Sequence, residues 1–189
     1  ATLYANKKLS SRDAQSLYQR AIDDPESITE KERQLLIDLY DAEIRYNDEY
    51  IGEFLAELQN RDLLEDSLLV ITADHGDAFG EHGYYEHPRY LHDEITHVPL
   101  FVREPDGAER TVETPVSTLD IVSTFKQIVG QDIDSERVSL IDQFDGGCTV
   151  FFQARGEDEH SHIRRYALRT QESSCFCERD RDSGSIEFG

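Results

Sequence analysis

The sequence predicts an α/β fold in which a mostly parallel sheet lies between helices. Residues 30–58 carry apolar side chains at the spacing of a long amphipathic helix. Leu68–Thr72 is a short, mainly apolar run, which is typical of a strand covered on both faces. Val98–Val102 is a second such run. Because a long helix that leads into a buried strand is half of a βαβ layer, these segments favour an α/β architecture.

The 189-residue chain is strongly acidic, with 40 Asp and Glu residues, 19 Lys and Arg residues and a net charge of −21. This charge repels duplex nucleic acid and anionic membranes, so we expect neither as a partner. Fifteen of the basic residues are Arg and four are Lys. An acid excess with little Lys indicates adaptation to high salt, where repulsion is screened. High net charge also favours disorder, but the regular apolar periodicity argues against disorder.

The cysteines favour a reducing compartment. Cys148, Cys175 and Cys177 do not form a disulfide framework, so a cytoplasmic location is expected. The sequence has no signal-peptide pattern and no apolar run of transmembrane length. The first residue is Ala1, which indicates a processed or cloned piece of a longer chain.

Residues 1–29 are predicted to be a polar lead-in that contains a helix over Ser11–Asp23, and residues 30–189 the main α/β part. Thr29 and Glu32 have the spacing of a capping box at the start of the long helix.

The later segments predict one helix and two strands. Ser117 or Thr118 is expected to cap the helix, and Gly130 to follow its end. Cys148–Phe152 and Arg164–Arg169 are the predicted strands, and the residues after Thr170 are predicted to be a polar tail.

Asp74 and His75 are the first candidate functional residues. They follow the predicted strand Leu68–Thr72, from which only Ala73 separates them. Ligands in α/β proteins bind beyond the carboxyl ends of strands. A carboxylate and an imidazole suit a divalent cation, and Gly76 permits the turn that two adjacent ligands need. The alternative is a helix-capping Asp74 and a hydrogen-bonded His75.

Five of the seven histidines lie between residues 75 and 97. Such a cluster is compatible with a zinc site, a set of proton-transfer groups or an exposed polar loop. No His-Glu-x-x-His metalloprotease signature is present. The five residues are His75, His82, His87, His92 and His97.

Two blocks of sequence point to a family: Asp74-His75-Gly76-x-x-x-Gly80-x-His82-Gly83 and Asp93-Glu94-x-x-x-Val98-Pro99-Leu100. Together they strongly resemble the sulfatases of the alkaline phosphatase superfamily. The resemblance covers roughly residues 30–170. It implies part of an alkaline-phosphatase-like three-layer sandwich, and the acidic composition adds the expectation of a salt-adapted, haloarchaeal source.

The resemblance implies roles for individual residues. Asp74 and His75 would be metal ligands, with Ca²⁺ the expected cation and Mn²⁺ or Zn²⁺ the alternatives. The family places a lysine about a dozen residues further on, where it contacts the sulfate or phosphate. The chain has Glu86-His87-Pro88-Arg89 there. His87 is therefore the candidate contact for the anion or leaving group, and Arg89 the candidate substrate-binding residue; an ordinary loop role is the alternative for both.

The family's nucleophile is a formylglycine made from a Cys/Ser-x-Pro-x-Arg motif, and this sequence has no such motif. We therefore expect the C-terminal part of a sulfatase-type hydrolase of small sulfate esters, inactive by itself and able to form homo-oligomers. One alternative is a phosphodiesterase, phosphonate hydrolase or phosphotransferase of the same superfamily. An alternative of another class is an acidic metal-binding module without catalysis.

Overall fold

The computed structural model describes residues 10–105, 111–133, 138–141, 150–155, 163–170, 174–180, 183 and 185–188. The α/β class predicted from the sequence is confirmed. The helices are α1 (Ser11–Asp23), α2 (Glu30–Asn60), α3 (Asp93–Thr96) and α4 (Asp120–Ile128), with a short 3₁₀ turn at Pro25–Ser27. The strands are β1 (Leu69–Thr72), β2 (Ala78–Phe79), β3 (Tyr85–Glu86), β4 (Leu100–Arg103), β5 (Val150–Arg155), β6 (Ile163–Arg169), β7 (Ser174–Asp180) and β8 (Ile186–Phe188).

The chain divides into two compact units. The helical unit comprises Ala1–Asp66 and His75–Pro88, and the sheet unit comprises Ser67–Asp74 and Arg89–Gly189. The sequence-based division at residues 29 and 30 stays a prediction.

The helical unit is built from α1, α2 and the hairpin of β2 and β3. Their side chains meet in a small core, because α1 and α2 each turn an apolar stripe inward. The half-buried Tyr18, Ile28, Leu35, Ile37 and Tyr40 pack around that core. Its buried members are Leu17, Ala21, Leu36, Phe79 and Tyr85.

The predicted capping box of α2 is confirmed. The Thr29 side chain accepts from the backbone N–H of Glu32, and the Glu32 carboxylate accepts from the backbone N–H of Thr29 at 3.0 Å. Arg20 of α1 also contacts this carboxylate. The hydrogen bonds from Thr29 and then from Arg20 lower the pKa of Glu32 to about 2. The carboxylate therefore stays charged at the start of α2, where it satisfies donors that the helix cannot pair.

The capping box predicts a pH-dependent contribution to stability. The folded-state pKa of Glu32 is lowered from 4.5 to about 2. Its stabilisation is therefore fully present above about pH 4.5 and is lost as the pH falls toward 2. We expect wild type to unfold at higher denaturant concentration than Glu32→Gln at neutral pH, with the difference shrinking below pH 4.5. Glu43→Gln, on the exposed middle of α2, is the control. A difference that stays constant with pH would contradict this role.

The second half of α2 leaves many apolar side chains in contact with solvent. Beyond Leu36, Ala42 is the last buried residue of the helix. A helix whose apolar residues are exposed lacks the packing that normally stabilises it. The exposed large apolar residues of this segment are Ile44, Tyr46, Tyr50, Ile51 and Phe54.

The sheet unit contains two antiparallel sheets. β1 pairs with β4, and β5 to β8 follow one another in a meander. The sequence predicts a mostly parallel sheet, but every strand pair in the described ranges is antiparallel. A parallel pair needs a long crossover, usually a helix. Residues 73–99, which connect β1 to β4 and are all described, contain no helix longer than the single turn of α3.

Two further expectations need correction in the sheet unit. The residues after Thr170 contain β7 and β8 rather than only a tail. In α4 the predicted apolar face is largely exposed, whereas Thr124 is fully buried. Its hydroxyl donates to the carbonyl of Asp120 and accepts from the backbone N–H of Leu140, both at 2.8 Å. Helix α4 is thus fixed through a polar contact, and Gly130 follows it with a φ of +72°, as expected of a helix-ending glycine.

The exposed apolar residues predict self-association of the isolated chain. Large exposed apolar patches mark interaction surfaces or aggregation sites. We expect size-exclusion chromatography with light scattering to give a dimer or larger species, and the double variant Tyr50→Lys, Phe54→Lys to shift it toward the monomer. A wild-type monomer at every concentration tested would contradict the prediction.

No helix among the described residues is both long and apolar enough to cross a membrane.

Candidate metal centre

The β2–β3 hairpin determines which residues of the histidine-rich loop meet. Ala78 pairs with Glu86 and Phe79 with Tyr85. The turn closes where the N–H of Gly80 donates to the carbonyl of Tyr84 at 2.9 Å. In the turn, Gly80 and Gly83 have φ values of +93° and +79°, which glycine adopts without strain. Extending the same register by one residue at the open end places Asp77 opposite His87.

Asp77, His87 and His75 form a compact cluster at that open end. The ligand-type atoms of the three side chains lie within 4.8 Å of one another. His87 Nδ1 donates to Asp77 Oδ1 at 3.1 Å. The imidazole rings of His75 and His87 are stacked, with 4.0 Å between centroids and 24° between planes. Because imidazole nitrogens and a carboxylate are ligands for divalent cations, the donor set fits a metal centre.

The hairpin is held against α2 by polar and aromatic contacts. Arg33 Nε donates to the carbonyl of Phe79 at 2.6 Å. The rings of Tyr40 and Phe79 meet edge to face with 5.3 Å between centroids. Arg33 also forms an ion pair with Glu81 of the turn at 3.5 Å. These contacts fix the hairpin on a regular helix, so the open end has a defined position within the helical unit.

Two tyrosines of the helices lie in the electrostatic field of the cluster. Burial, and then the negative charge of Asp77, raise the pKa of Tyr18 from 10 to about 12. The same two causes raise the pKa of Tyr40. Both phenols therefore stay neutral and add no negative charge beside Asp77.

The structure assigns the predicted site residues to different units. His75 and His87 belong to the helical unit and lie together. Asp74 and Arg89 belong to the sheet unit. Asp74 is exposed just beyond the end of β1, as predicted, and Arg89 is exposed, with its carbonyl accepting from Arg165 at 3.3 Å. The roles proposed for these four residues stay predictions.

Asp77 is the residue that the sequence analysis missed. It lies two positions after His75, and it becomes a neighbour of His87 only through the hairpin register. The sequence did contain one usable signal, because Gly80 and Gly83 flank a short turn. Such a turn predicts which residues of the two strands pair. The other three histidines of the loop lie outside this cluster.

Comparison with known proteins identifies the family. The family model described as Sulfatase matches residues 5–131, more than half of the 189 residues. The chain belongs to the sulfatase family. Sulfatases use a divalent metal, and the donor set at the hairpin is compatible with one.

Relatives of this sulfatase-family chain are much longer than the chain itself. The choline-sulfatase of Rhizobium meliloti (strain 1021) is 32% identical over 112 residues, which are 57% of this chain and 22% of the relative. The chain thus spans about a fifth of the length of this relative.

Solved structures confirm the alkaline-phosphatase-like fold of the sulfatases. The structure of BT4656 in complex with D-glucosamine-2-N,6-O-disulfate has a TM-score of 0.65 and 22% identity, covering 95% of this chain and 38% of that one. The phosphonate monoester hydrolase SpPMH from Silicibacter pomeroyi has a TM-score of 0.61 and 21% identity, covering 82% of this chain and 36% of that one. At such identities the likeness concerns the fold.

Proposed function

We propose that this chain is part of a sulfuric ester hydrolase of the arylsulfatase type, which cleaves the S–O ester bond of a small sulfate ester with a bound divalent cation. The observation that carries the proposal is the sulfatase-family match, which contains Asp74 and His75. The sulfated sugar bound in the BT4656 structure supports a sulfate ester as the substrate class. The proposed activity is that of the whole protein.

In this proposal Asp74 and His75 supply two of the metal ligands. The cation, when bound, polarises the ester oxygens and stabilises the charge that develops on them. Ca²⁺ is the proposed ion, with Mn²⁺ and Zn²⁺ as alternatives. His75 Nδ1 donates to the carbonyl of Gly76 at 3.0 Å, which holds the ring in one orientation.

His87 and Arg89 are the proposed contacts for the substrate. His87 is half exposed, so a ligand can reach its ring from solvent. Arg89 is exposed and always charged, and its guanidinium can pair with two oxygens of a sulfate group. Both would replace the single lysine that the resemblance to sulfatases implies in this segment.

A phosphonate or phosphate ester is the second candidate substrate, because the fold is also shared with SpPMH. A matched panel separates the two candidates. The protein should be produced from its complete coding sequence and assayed with p-nitrophenyl sulfate, choline sulfate and a phenyl phosphonate monoester. Faster hydrolysis of the sulfates supports the proposal. Faster hydrolysis of the phosphonate would favour the second candidate, and no hydrolysis of any ester would favour a metal-binding module.

The 189-residue chain alone is expected to be inactive. It contains no Cys/Ser-x-Pro-x-Arg motif and therefore has no source of the formylglycine nucleophile that the family resemblance implies. We expect no release of p-nitrophenol from p-nitrophenyl sulfate above the background of a buffer control, with Ca²⁺, Mn²⁺ or Zn²⁺ present. Turnover that disappears in Asp74→Ala would contradict this expectation, since it would show a nucleophile within the chain.

A further inference from the structure

We propose that Arg165 is a positioning residue for the proposed hydrolysis, because it fixes the backbone of Arg89, whose side chain is the proposed contact for the sulfate group. Arg165 itself does not touch the substrate in this proposal. The inference rests on the proposed function and adds to it a residue from a different part of the sequence. Arg89 and Arg165 are 76 positions apart in the sequence, and both belong to the sheet unit.

The loop that contains Arg89 depends on side-chain contacts for its position. Residues 87–92 are all described, and they contain neither helix nor strand. Arg165 Nη1 donates to the carbonyl of Arg89 at 3.3 Å. The central carbon of the same guanidinium lies 4.3 Å from the centroid of the Tyr90 ring. One side chain thus holds two consecutive residues, through a charge-assisted hydrogen bond and a cation–π contact.

The strand β6 is a rigid support for these contacts, because it pairs with β5 on one side and with β7 on the other. Side chains alternate along a strand, so Arg165, Ala167 and Arg169 share one face of β6. Arg165 is 9% exposed and Ala167 is 4% exposed. Arg169 forms an ion pair with Asp93, the first residue of α3. This face of β6 therefore holds both the loop at Arg89 and the helix that follows it.

The two contacts of Arg165 require a guanidinium group. A planar guanidinium can donate a hydrogen bond from its edge while its face lies on an aromatic ring, whereas the compact ammonium of Lys lacks this geometry. Arg89 is exposed, so its side chain is open to a ligand from solvent. Because the Arg89 backbone is already fixed, less conformational freedom is lost when its side chain binds a sulfate group.

Limited proteolysis of the 189-residue chain tests the contact directly, because trypsin attacks the same Arg89 carbonyl that Arg165 binds. Mass spectrometry gives the rate of cleavage after Arg89 relative to cleavage after the exposed Arg61. We expect Arg165→Gln to raise this ratio by about 10-fold or more, which corresponds to about 1.4 kcal/mol of local opening. Arg164→Gln is the matched control and should leave the ratio unchanged, because the Arg164 side chain lies on the opposite face of β6.

Steady-state kinetics of the whole protein test the positioning role. Arg165→Gln and Arg89→Gln should each raise KM for p-nitrophenyl sulfate by about 10-fold and change kcat by less than about twofold, because the lost contact is made in the ground state and the transition state alike. The double variant should have the KM of Arg89→Gln alone, since Arg165 acts through Arg89. A merely structural defect would instead add to the effect of Arg89→Gln.

Two further variants keep the test decisive if Arg165→Gln does not fold, as judged by circular dichroism and melting temperature. Arg165→Lys retains the charge but loses the planar group, so it should protect the bond after Arg89 only in part. Tyr90→Leu retains Arg165 and an apolar side chain but removes the ring. It should raise cleavage after Arg89 by less than Arg165→Gln does, because the hydrogen bond to the carbonyl remains.

The possible outcomes separate this proposal from the proposed function. The positioning role is overturned if Arg164→Gln raises cleavage after Arg89 as much as Arg165→Gln does, or if the effects of Arg165→Gln and Arg89→Gln on KM are additive. Normal hydrolysis by Arg165→Gln would reject only the positioning role. A whole wild-type protein that hydrolyses no ester would reject the proposed function and, with it, the substrate contact of Arg89. Proteolysis would still decide whether Arg165 fixes the loop.

Discussion

Replacing Asp74 by Ala in the whole protein is expected to lower kcat/KM for sulfate esters by more than about 100-fold. Removing a residue that only orients a metal ligand already lowers activity by up to about 100-fold. A ligand contributes more than its orienting partner, because its charge also sets how strongly the cation is held. The measurement is steady-state hydrolysis of p-nitrophenyl sulfate at saturating Ca²⁺. The metal content of each preparation is determined in parallel.

Asp66→Ala is the matched control, because Asp66 is an exposed aspartate before β1, whereas Asp74 is an exposed aspartate after it. We expect the control to retain wild-type activity. Partial rescue of Asp74→Ala by a large excess of metal would strengthen the assignment, since it would show weakened affinity rather than misfolding. Equal activity of Asp74→Ala and wild type would remove Asp74 from the site.

Leu36→Ala is expected to destabilise the helical unit by about 2–5 kcal/mol, the usual cost of truncating a fully buried leucine. Leu36 is 1% exposed and belongs to the core in which Phe79 and Tyr85 of the hairpin are buried. Because whole domains are stable by only about 5–15 kcal/mol, this loss is a large share of the total. Urea denaturation followed by circular dichroism measures the effect.

Leu63→Ala tests whether the effect depends on burial, because Leu63 is 51% exposed. We expect this control to change the unfolding free energy by less than about 0.5 kcal/mol, as is usual for surface substitutions. Equal losses in both variants would show that Leu36 is not part of a packed core.

Local signals in the sequence were sufficient for several elements. Thr29 and Glu32 predict the start of α2, and the apolar run Leu68–Thr72 predicts β1, because both signals involve neighbouring residues. Gly130 predicts the end of α4 for the same reason. Strand direction was not predictable in this way. It depends on which strands pair, and the described pairs are antiparallel.

The candidate site was predictable only in part for a similar physical reason. Asp74 and His75 are adjacent in a motif, whereas Asp77 and His87 are ten positions apart and meet through a register that no single residue shows. The burial of the polar side chain of Thr124 in α4 was also not predictable from the sequence. Thr124 is buried because its hydroxyl forms hydrogen bonds with two backbone groups. The spacing of apolar residues cannot predict such hydrogen bonds.

The glycine turn of the β2–β3 hairpin has a consequence for how the gene can vary. Side chains alternate between the two faces of a strand, so a single-codon deletion in either strand would move Asp77 or His87 to the wrong face. His82 lies at the exposed tip between Gly80 and Gly83, outside the residues that pair in the two strands. Among homologous genes, the exposed position of His82 should therefore tolerate substitutions. The number of codons between Asp77 and His87 should stay constant, because this number keeps the two residues opposite each other.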